Sequence, residues 1–436
     1  MKSEETSVKE QTGKKTLYVH IGMAKTGTTA LQYFLWENRG VLEQKGYCYP
    51  SMRLAYPDVA NVNETRNGHF LVNDTWVNGS MEHDNLDAMM YRAGMDEVVR
   101  LFETYDNVIL SDEGIWVATY KRRASLWEEL LADGERNGFQ VKIVVYLRRQ
   151  DQYIASVYKQ KLKQRTSYSN RETWEEYVSH IPKTRQLDYF KKLERIRKVV
   201  GMDHMIVCKY DRESFLGGSL YADFLHRIGL EFTDAYEVAQ QEANKSLLGN
   251  TAEMKRIINE LGDFDRDDAR LIRNILYDDS EISKNQVIAE VFSKEEAESF
   301  LRKYDQSNAK VAETYFDDGK PLFDNTVPDI PKYDRNNPYM MEDILRFAAI
   351  GLKYLRRDQA AAGGQIRELQ KQLAKSEGEV IRLERQTEKL QKQMDKLQGQ
   401  MAQHNQETKN VRGELYETRD KLHHPIRAVF SRITKS

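Results

Sequence analysis

Cysteine is scarce in this sequence, with only Cys48 and Cys208 among 436 residues. Two cysteines cannot form a disulfide framework or an all-cysteine zinc site, and such a count is typical of a reducing compartment. Long apolar runs are also missing, because no stretch reaches the roughly 18 apolar residues that a membrane-spanning helix needs. The first fifteen residues are polar and charged and contain no apolar signal-peptide core. We therefore expect a cytoplasmic protein.

An excess of charge of one sign is absent as well. Lys and Arg total 66 against 68 Asp and Glu, so the formal net charge is −2. Without a global basic excess, we do not expect nucleic acid to be a partner through counterion release. Charged residues make up 31% of the chain, above the roughly 25% of an ordinary soluble domain. Because 10% of the residues are aromatic, one sizeable core is still expected, with another segment that adds little to it.

Short apolar segments alternate with helical patterns in the first half of the chain. Buried strands are predicted at residues 16–21, 107–110, 141–147 and 204–208. Amphipathic helices are predicted at residues 87–105, 123–137, 151–164 and 185–199. Such alternation favours a parallel sheet that is covered on both faces. The predicted fold class is α/β, a P-loop-like parallel β-sheet flanked by helices and followed by a long C-terminal coiled-coil helix.

The C-terminal part of the chain carries a heptad pattern. Its seam positions follow in steps of 3 and 4 from Ile366 to Leu422 without a slip, over 56 residues or eight heptads. Twelve of the seventeen seam residues are apolar, and the others are Ser376, Thr387, His404, Thr408 and Thr418. This period predicts a coiled coil over residues 366–422 that joins copies of the chain into a homo-oligomer. The alternatives are a solvated single helix and a helix packed back on the main domain.

These patterns divide the chain into four predicted parts. They are a disordered N-terminal tail at residues 1–15, a main domain at residues 16–358, the coiled coil at residues 363–422 and a short basic amphipathic tail at residues 423–436. Residues 319–338, which are rich in proline, are predicted to be a surface excursion of the main domain.

One helical face of the last part is apolar, through Ile426, Val429, Phe430 and Ile433. Basic residues lie off that face, so residues 423–436 are predicted to make peripheral contact with the inner face of a membrane. Several copies held together by the coiled coil would add avidity to this weak contact. The alternative is a frayed end whose apolar residues cap the coiled coil.

A loop of glycine and threonine connects the first predicted strand to a helix. Backbone N–H groups in such a loop, and the N-terminus of the helix, point at an anion. Gly22 and Gly27 have the spacing of the nucleotide-triphosphate P-loop, G-x-x-x-x-G-K-[ST], but Thr28 stands where that motif needs lysine. The lysine lies inside the loop instead, as Lys25. The loop is therefore predicted to bind a phosphate-like group, and it is poorly arranged for γ-phosphoryl transfer.

The segment Lys25-Thr26-Gly27-Thr28-Thr29 resembles the 5′-phosphosulfate loop of sulfotransferases that use 3′-phosphoadenosine 5′-phosphosulfate (PAPS), whose core is Lys-[Ser/Thr]-Gly-Thr-Thr. A second segment resembles the 3′-phosphate motif of the same family, an Arg at a strand end followed by a Ser eight residues later. Here these residues are Arg148 and Ser156. A strand-end Arg and a Ser on the next helix can both donate hydrogen bonds to a phosphate. Arg149-Gln150 replaces the usual acid-Pro pair of the family, so either Arg could face the phosphate, and the spacing favours Arg148.

The resemblance covers residues 16–255 and implies an activity for the predicted main domain. The order of the motifs resembles a bacterial subgroup that commonly acts on carbohydrates. It implies a sulfotransferase that moves the sulfuryl group of PAPS, its co-substrate, to a hydroxyl or amine of an acceptor by in-line transfer. A carbohydrate or glycolipid acceptor is the expected partner. No metal is expected, because the leaving group is already a stable anion held by the loop and Arg148.

Sulfuryl transfer needs a cation near the bridging oxygen and a base near the acceptor, as phosphoryl transfer does. Lys25 is the predicted cation. Two base candidates have counterparts in this kind of sulfotransferase. Glu113 directly follows a predicted buried strand, and His69 lies in a predicted loop after the first helix. We favour Glu113, although a helix N-terminal acid capped by Asp112 would look the same.

Two other functions are compatible with parts of the sequence. A P-loop nucleotide kinase or NTPase would use the strand and acids of residues 108–113 to hold Mg²⁺, but it needs lysine at position 28. A non-catalytic coiled-coil scaffold with a degenerate nucleotide-binding domain would be expected to lose its binding residues, whereas Lys25, Arg148 and Ser156 are all present.

Overall fold

The computed structural model of the protein describes residues 14–55, 64–72, 76–77, 80–81, 86–119, 125–163, 171–181, 186–238, 247–262 and 264–423. The chain divides into two compact units after Gly351. Most of the predicted N-terminal tail, residues 1–13, lies outside the described residues, and so do residues 424–436 of the predicted amphipathic tail.

A five-stranded parallel sheet forms the centre of the first unit, in the order β2-β5-β1-β6-β7. The strands are β1 (Lys15–His20), β2 (Tyr47–Cys48), β3 (Trp76–Val77), β4 (Ser80–Met81), β5 (Asn107–Ser111), β6 (Phe139–Leu147) and β7 (Met205–Lys209). The antiparallel pair β3-β4 stands apart from this sheet. The four predicted strands are thereby confirmed as β1, β5, β6 and β7, with β1 beginning one residue before the predicted domain start.

Helices connect the strands and continue to the end of the described chain. They are α1 (Thr28–Glu37), α2 (Arg39–Gln44), α3 (Leu86–Leu101), α4 (Gly114–Ala118), α5 (Leu126–Asn137), α6 (Gln150–Lys163), α7 (Trp174–Ser179), α8 (Tyr189–Val200), α9 (Leu220–Arg227), α10 (Asn250–Glu260), α11 (Arg266–Ser283), α12 (Lys294–Arg302), α13 (Asp305–Tyr315) and α14 (Met340–His423). The predicted parallel sheet flanked by helices, with a long C-terminal helix, is confirmed.

Two apolar clusters cover the two faces of the sheet. Successive strand residues point to opposite faces, so Val19 joins one cluster and Ile109 and Val144 join the other. All three side chains are fully buried. A parallel sheet needs this double cover, because its short apolar strands leave no face suited to water. Loops at the carboxyl ends of the strands are therefore held on a rigid support.

Residues 319–338, predicted to be a surface excursion, are mostly exposed but are anchored to the domain at a few points. Leu322 and Phe323 are buried in the larger apolar cluster. The carbonyls of Asp324 and Thr326 accept hydrogen bonds from Arg149 at 2.7 and 3.0 Å. Proline breaks regular structure here without loosening the segment, since two apolar anchors and one guanidinium fix it to the body of the domain.

The second unit consists of the continuation of α14, which starts in the first unit and ends at His423. Its apolar residues are exposed along the predicted seam; Leu369, for example, is 62% exposed. Over the described ranges, none of the helices combines the length and the apolar character that crossing a bilayer requires.

Candidate functional site

The carboxyl ends of three adjacent strands carry the predicted site residues. β1 lies between β5 and β6 in the sheet, and parallel strands end at the same edge. The loop after β1, Glu113 after β5 and Arg148 after β6 therefore share that edge. Ligands of open parallel sheets bind at this edge, outside the carboxyl ends of the strands.

The loop after β1 is tight and partly strained. Lys25 has a backbone φ of 69°, a left-handed conformation that is uncommon for any residue except glycine. Gly27 has a φ of 72°, and a Cβ atom there would lie 2.5 Å from Leu220. The Thr26 hydroxyl donates to the Met23 carbonyl at 2.5 Å and closes the loop. The resulting turn leads into α1 at Thr28, so backbone N–H groups gather at a helix N-terminus, an arrangement that suits an anion.

Arg148 connects this loop to the end of β6. Its Nη1 donates to the Lys25 carbonyl at 2.9 Å, and its guanidinium carbon lies 5.6 Å from the centre of the Tyr210 ring. Its Nε is buried and has no hydrogen-bond partner among the described residues. Because buried donors are nearly always satisfied, an unpaired guanidinium nitrogen indicates a place for an acceptor, such as a phosphate oxygen.

Arg149 has a different environment from its neighbour. It forms a bidentate pair with Asp151, with Nε–Oδ1 at 2.8 Å and Nη2–Oδ2 at 2.9 Å. Its Nη1 donates to the two carbonyls of residues 324–326 described above. All three guanidinium nitrogens are thus used in holding structure together. Between the two arginines, Arg148 is the one that retains a free donor.

A cavity of about 410 Å³ joins the two members of the predicted 3′-phosphate motif. Arg148 and Ser156 both line it, with Ser156 two turns into α6. Its apolar lining residues include Phe292, Val327, Pro328 and Ile330, which come from distant parts of the chain, and the charged Glu290 and Lys294 line it as well. These lining residues could not be predicted from the sequence, because no local pattern shows which distant loop will fold over a strand end.

A larger cavity of about 760 Å³ adjoins the first one. Lys159, Glu290 and Val291 line both. The Lys159 ammonium lies 3.3 Å from a Glu290 carboxylate oxygen, so this ion pair stands at the boundary of the two cavities.

Asp112 and Glu113, at the end of β5, differ in what they contact. Asp112 is fully buried and receives two hydrogen bonds from Arg66, at 2.9 and 3.0 Å, and one from the Gly114 amide at 2.6 Å. Both of its oxygens are therefore occupied. Glu113 is half-buried at the start of α4. Burial raises the pKa of Glu113 and nearby Asp112 adds to the rise, while Arg66 and Lys25 oppose it.

Lys25 is electrostatically coupled to both neighbouring strand ends. Burial lowers its pKa, repulsion from Arg148 lowers it further, and attraction to Glu113 opposes the shift. Lys163, at the end of α6, adds a further basic group that the sequence analysis did not single out. Its pKa is lowered to about 8 by burial, then by repulsion from Lys25 and Lys159. Its spacing of seven residues from Ser156 places both on one helix face, which is the signal that could have found it.

His69, the other base candidate, begins a short 3-10 turn, His69–Leu71. The residues before it are fixed to the end of β5. The Asn67 Oδ1 accepts from the Ser111 amide at 2.8 Å, and the Gly68 amide donates to the Ser111 carbonyl at 3.2 Å. The structure thus brings the His69 segment and Glu113 to the same strand end.

His20 is a histidine of the site region that the prediction did not use. It is almost fully buried at the end of β1, and its Nδ1 lies 2.8 Å from the Ser111 Oγ. Burial lowers its pKa to about 4, so it stays neutral at ordinary pH. It supports the strand ends rather than offering a charge.

The chain shows only partial similarity to known proteins. No family model matches the chain. An uncharacterized protein of Archaeoglobus fulgidus is 35% identical over 176 residues, which are 40% of this chain and 46% of that protein. The chain thus spans less than half the length of the curated relative it matches. Among solved structures, the chain is similar to a sulfotransferase from Alicyclobacillus acidocaldarius, with 14% sequence identity and a TM-score of 0.30. The alignment covers 52% of this chain and 86% of the sulfotransferase chain.

Proposed function

We propose that this protein is a PAPS-dependent sulfotransferase that transfers a sulfuryl group to a hydroxyl or amine of an acceptor. One observation carries the proposal. Arg148 donates to the Lys25 carbonyl while its buried Nε remains without a partner within the described part of the chain, beside a cavity that Ser156 also lines. The two phosphate motifs are therefore contiguous, as a donor with a phosphate at each end requires.

The residues of this edge suit the separate parts of such a donor. The loop amides and the N-terminus of α1 suit the 5′-phosphosulfate. Arg148 and Ser156 supply donors for the 3′-phosphate. The apolar lining residues Val327, Pro328 and Ile330 suit the adenosine. Within the residues that the structure describes, no group of three His, Cys, Asp or Glu side chains is arranged to hold a metal ion.

The same geometry supports in-line transfer. Glu113 takes the proton of the acceptor hydroxyl as its oxygen bonds to the sulfur; His69 is the alternative base. The bond between sulfur and the bridging oxygen breaks at the same centre, and its electron pair stays on the departing 5′-phosphate. Lys25 stabilises the negative charge that develops there. The products are the sulfated acceptor, 3′-phosphoadenosine 5′-phosphate and the protonated base.

The proposed acceptor is a carbohydrate or a glycolipid. Support for this class comes from the resemblance of the motif order to the bacterial carbohydrate-type subgroup.

The P-loop nucleotide kinase or NTPase is less well supported. The acid that would hold Mg²⁺ directly after the strand is Asp112, and both its oxygens are bonded to Arg66. Thr28 cannot replace the lysine that reaches the outer phosphates, since its hydroxyl is buried and directed at the Met23 carbonyl, 3.4 Å away.

Thermal unfolding with two ligands tests the proposed function. A ligand at about 100 times its Kd stabilises a protein by about 2.7 kcal/mol. We expect PAPS to raise the unfolding temperature and ATP with Mg²⁺ to leave it nearly unchanged. Transfer of ³⁵S from labelled PAPS to a glycan panel should then identify the acceptor. A shift with ATP and Mg²⁺ alone would favour the kinase or NTPase instead.

Replacing Arg148 with alanine should separate the two phosphates of the donor. A hydrogen bond to a charged group contributes about 1.5–3 kcal/mol, so Arg148→Ala should weaken PAPS binding by about 10- to 100-fold. Adenosine 5′-phosphosulfate, which lacks the 3′-phosphate, should lose much less affinity. Isothermal titration with both ligands measures the difference.

Arg149→Ala is the matched control for that comparison. Arg149 holds residues 324–326 and Asp151 without a free nitrogen. Its loss should loosen the cavity wall, weaken both ligands equally and lower the unfolding temperature. If Arg148→Ala also weakened both ligands equally, Arg148 would be a structural residue.

A further inference from the structure

The long helix α14 exposes its apolar stripe along the second unit. Leu369, Leu383 and Leu397 are each more than half exposed, and the other apolar residues of the predicted seam are at least 46% exposed. Exposed apolar surface of this length is uncommon on a monomer and indicates an interaction surface. Its 3-4 spacing fits the seam of another helix rather than a globular partner.

The same 3-4 spacing continues upstream of the predicted coiled coil at residues 366–422. Steps of 3 and 4 lead from Ile366 back, without a slip, through Ala362, Gln359, Leu355, Leu352, Ala348, Leu345 and Met341. The four large apolar residues of this set are exposed, with Leu352 at 64%. The seam therefore begins within one residue of the start of α14 at Met340.

The residue types along the seam are compatible with two parallel strands. In heptad notation, β-branched residues occupy four a positions, Ile366, Val380, Thr387 and Thr408, and leucine occupies five, Leu345, Leu352, Leu373, Leu415 and Leu422. Leucine occupies five d positions: Leu355, Leu369, Leu383, Leu390 and Leu397. Isoleucine at d, combined with isoleucine or leucine at a, shifts the preference to trimers and tetramers, and no d position of this seam carries isoleucine. The seam therefore keeps the residue pattern that is compatible with two strands.

Flanking charges distinguish the two orientations of a full-length pair. With parallel helices in register, Glu407 faces Arg412 of the second copy, and Glu414 faces its Arg419. The opposing contact is Glu379 with Glu384 of the second copy. The parallel pair thus has two attractive charge contacts and one repulsive contact, each present twice by symmetry.

An antiparallel pair with the same overlap reverses this balance. Glu377 would face Glu384 of the second copy, and Asp358 would face Glu407, both repulsive. Its attractive contact needs Glu342, which already bonds to Arg346 at 2.7 Å. Antiparallel pairs with a shorter overlap have fewer repulsive charge contacts, but they leave the upstream leucines exposed to water. A buried leucine contributes more than an exposed ion pair, so these overlaps are less stable.

We propose that α14 pairs with the same helix of a second copy of this chain, in parallel and in register, along a seam from Met341 to Leu422. The protein is then a two-stranded coiled-coil dimer. Residues of equal number face each other along its seam.

Cysteine cross-linking tests the orientation and register. The native Cys48 and Cys208 are buried, so introduced thiols dominate oxidation. In the full-length protein, Leu369→Cys and Leu415→Cys should each form covalent dimers with themselves, at least ~10-fold faster than Lys392→Cys on the opposite helix face. Failure of both variants to exceed the control, or a monomer by light scattering, would overturn the proposal.

A second pair of variants tests the upstream part of the seam. Replacing both Leu352 and Leu355 with glutamate should raise the dimer dissociation constant by more than ~100-fold. The control Lys353→Glu changes an exposed residue between them that lies outside the seam. Sedimentation over a concentration series measures both. Equal dissociation constants for the control and the double variant would show that the seam does not extend upstream of Ile366.

Discussion

Lys25→Ala should lower the kcat of sulfuryl transfer by about 100- to 1,000-fold, which corresponds to about 2.7–4 kcal/mol of lost transition-state stabilisation. Lys25 lies in the loop that would hold the phosphosulfate, and in the proposed reaction its charge acts where the leaving oxygen becomes negative. Binding of PAPS should fall less, because the loop amides and Arg148 remain. Single-turnover transfer of labelled sulfate, with PAPS affinity measured separately, gives the two effects.

Two further variants make the Lys25 result specific. Lys25→Arg retains a positive charge and should recover part of the activity. Lys161→Ala removes a lysine that pairs with Glu172 at 2.6 Å. Lys161 does not line the cavity that Arg148 and Ser156 share. It should leave kcat unchanged. Turnover of Lys25→Ala close to that of the unmodified protein would refute the role of Lys25.

The alkaline side of the pH profile depends on the same residue. Lys25 must be protonated to stabilise the leaving group, so activity is lost as the pH rises through its pKa. Burial and Arg148 lower that pKa below its usual value, which brings the loss to lower pH than for an exposed lysine. Lys25→Arg should move this limb to higher pH.

The sequence could predict the parts of the site that depend on local order. The loop with Lys25 is one continuous segment, and Arg148 and Ser156 are separated by two helical turns. Neighbouring strand ends bring such segments together in any parallel sheet of this kind. The placement of the loop, Glu113 and Arg148 at one edge therefore follows from motif and topology alone.

The parts that depend on distant contacts could not be predicted. The roles of Arg148 and Arg149 are distinguished by the carbonyls of residues 324–326, which are more than 170 positions away. Likewise, Asp112 and Glu113 look equivalent in the sequence until Arg66 bonds to Asp112. In both pairs, the residue proposed for the chemistry is the one whose polar side-chain atoms are not all bonded to described residues, although Arg148 does donate to the Lys25 carbonyl.

Glu113→Gln should lower kcat by about 100- to 10,000-fold, the contribution typical of a general base, and leave PAPS affinity nearly intact. Glutamine keeps the size of the side chain but cannot accept the acceptor's proton. Glu113 must be ionised to act, so activity is lost as the pH falls through its pKa. Burial raises that pKa above the ordinary value for glutamate, which moves the acid limb of the profile to higher pH.

Full pH profiles of the unmodified protein, Glu113→Gln and His69→Asn distinguish the two base candidates. If Glu113 is the base, the acid limb should disappear in Glu113→Gln, and His69→Asn should retain it with at most a modest loss of rate. The control Glu172→Gln, which removes a carboxylate paired with Lys161, should leave the profile unchanged. Unchanged activity in Glu113→Gln, together with loss of the acid limb in His69→Asn, would assign the proton transfer to His69. In that case the half-buried carboxylate of Glu113 would serve to oppose the charge of Lys25.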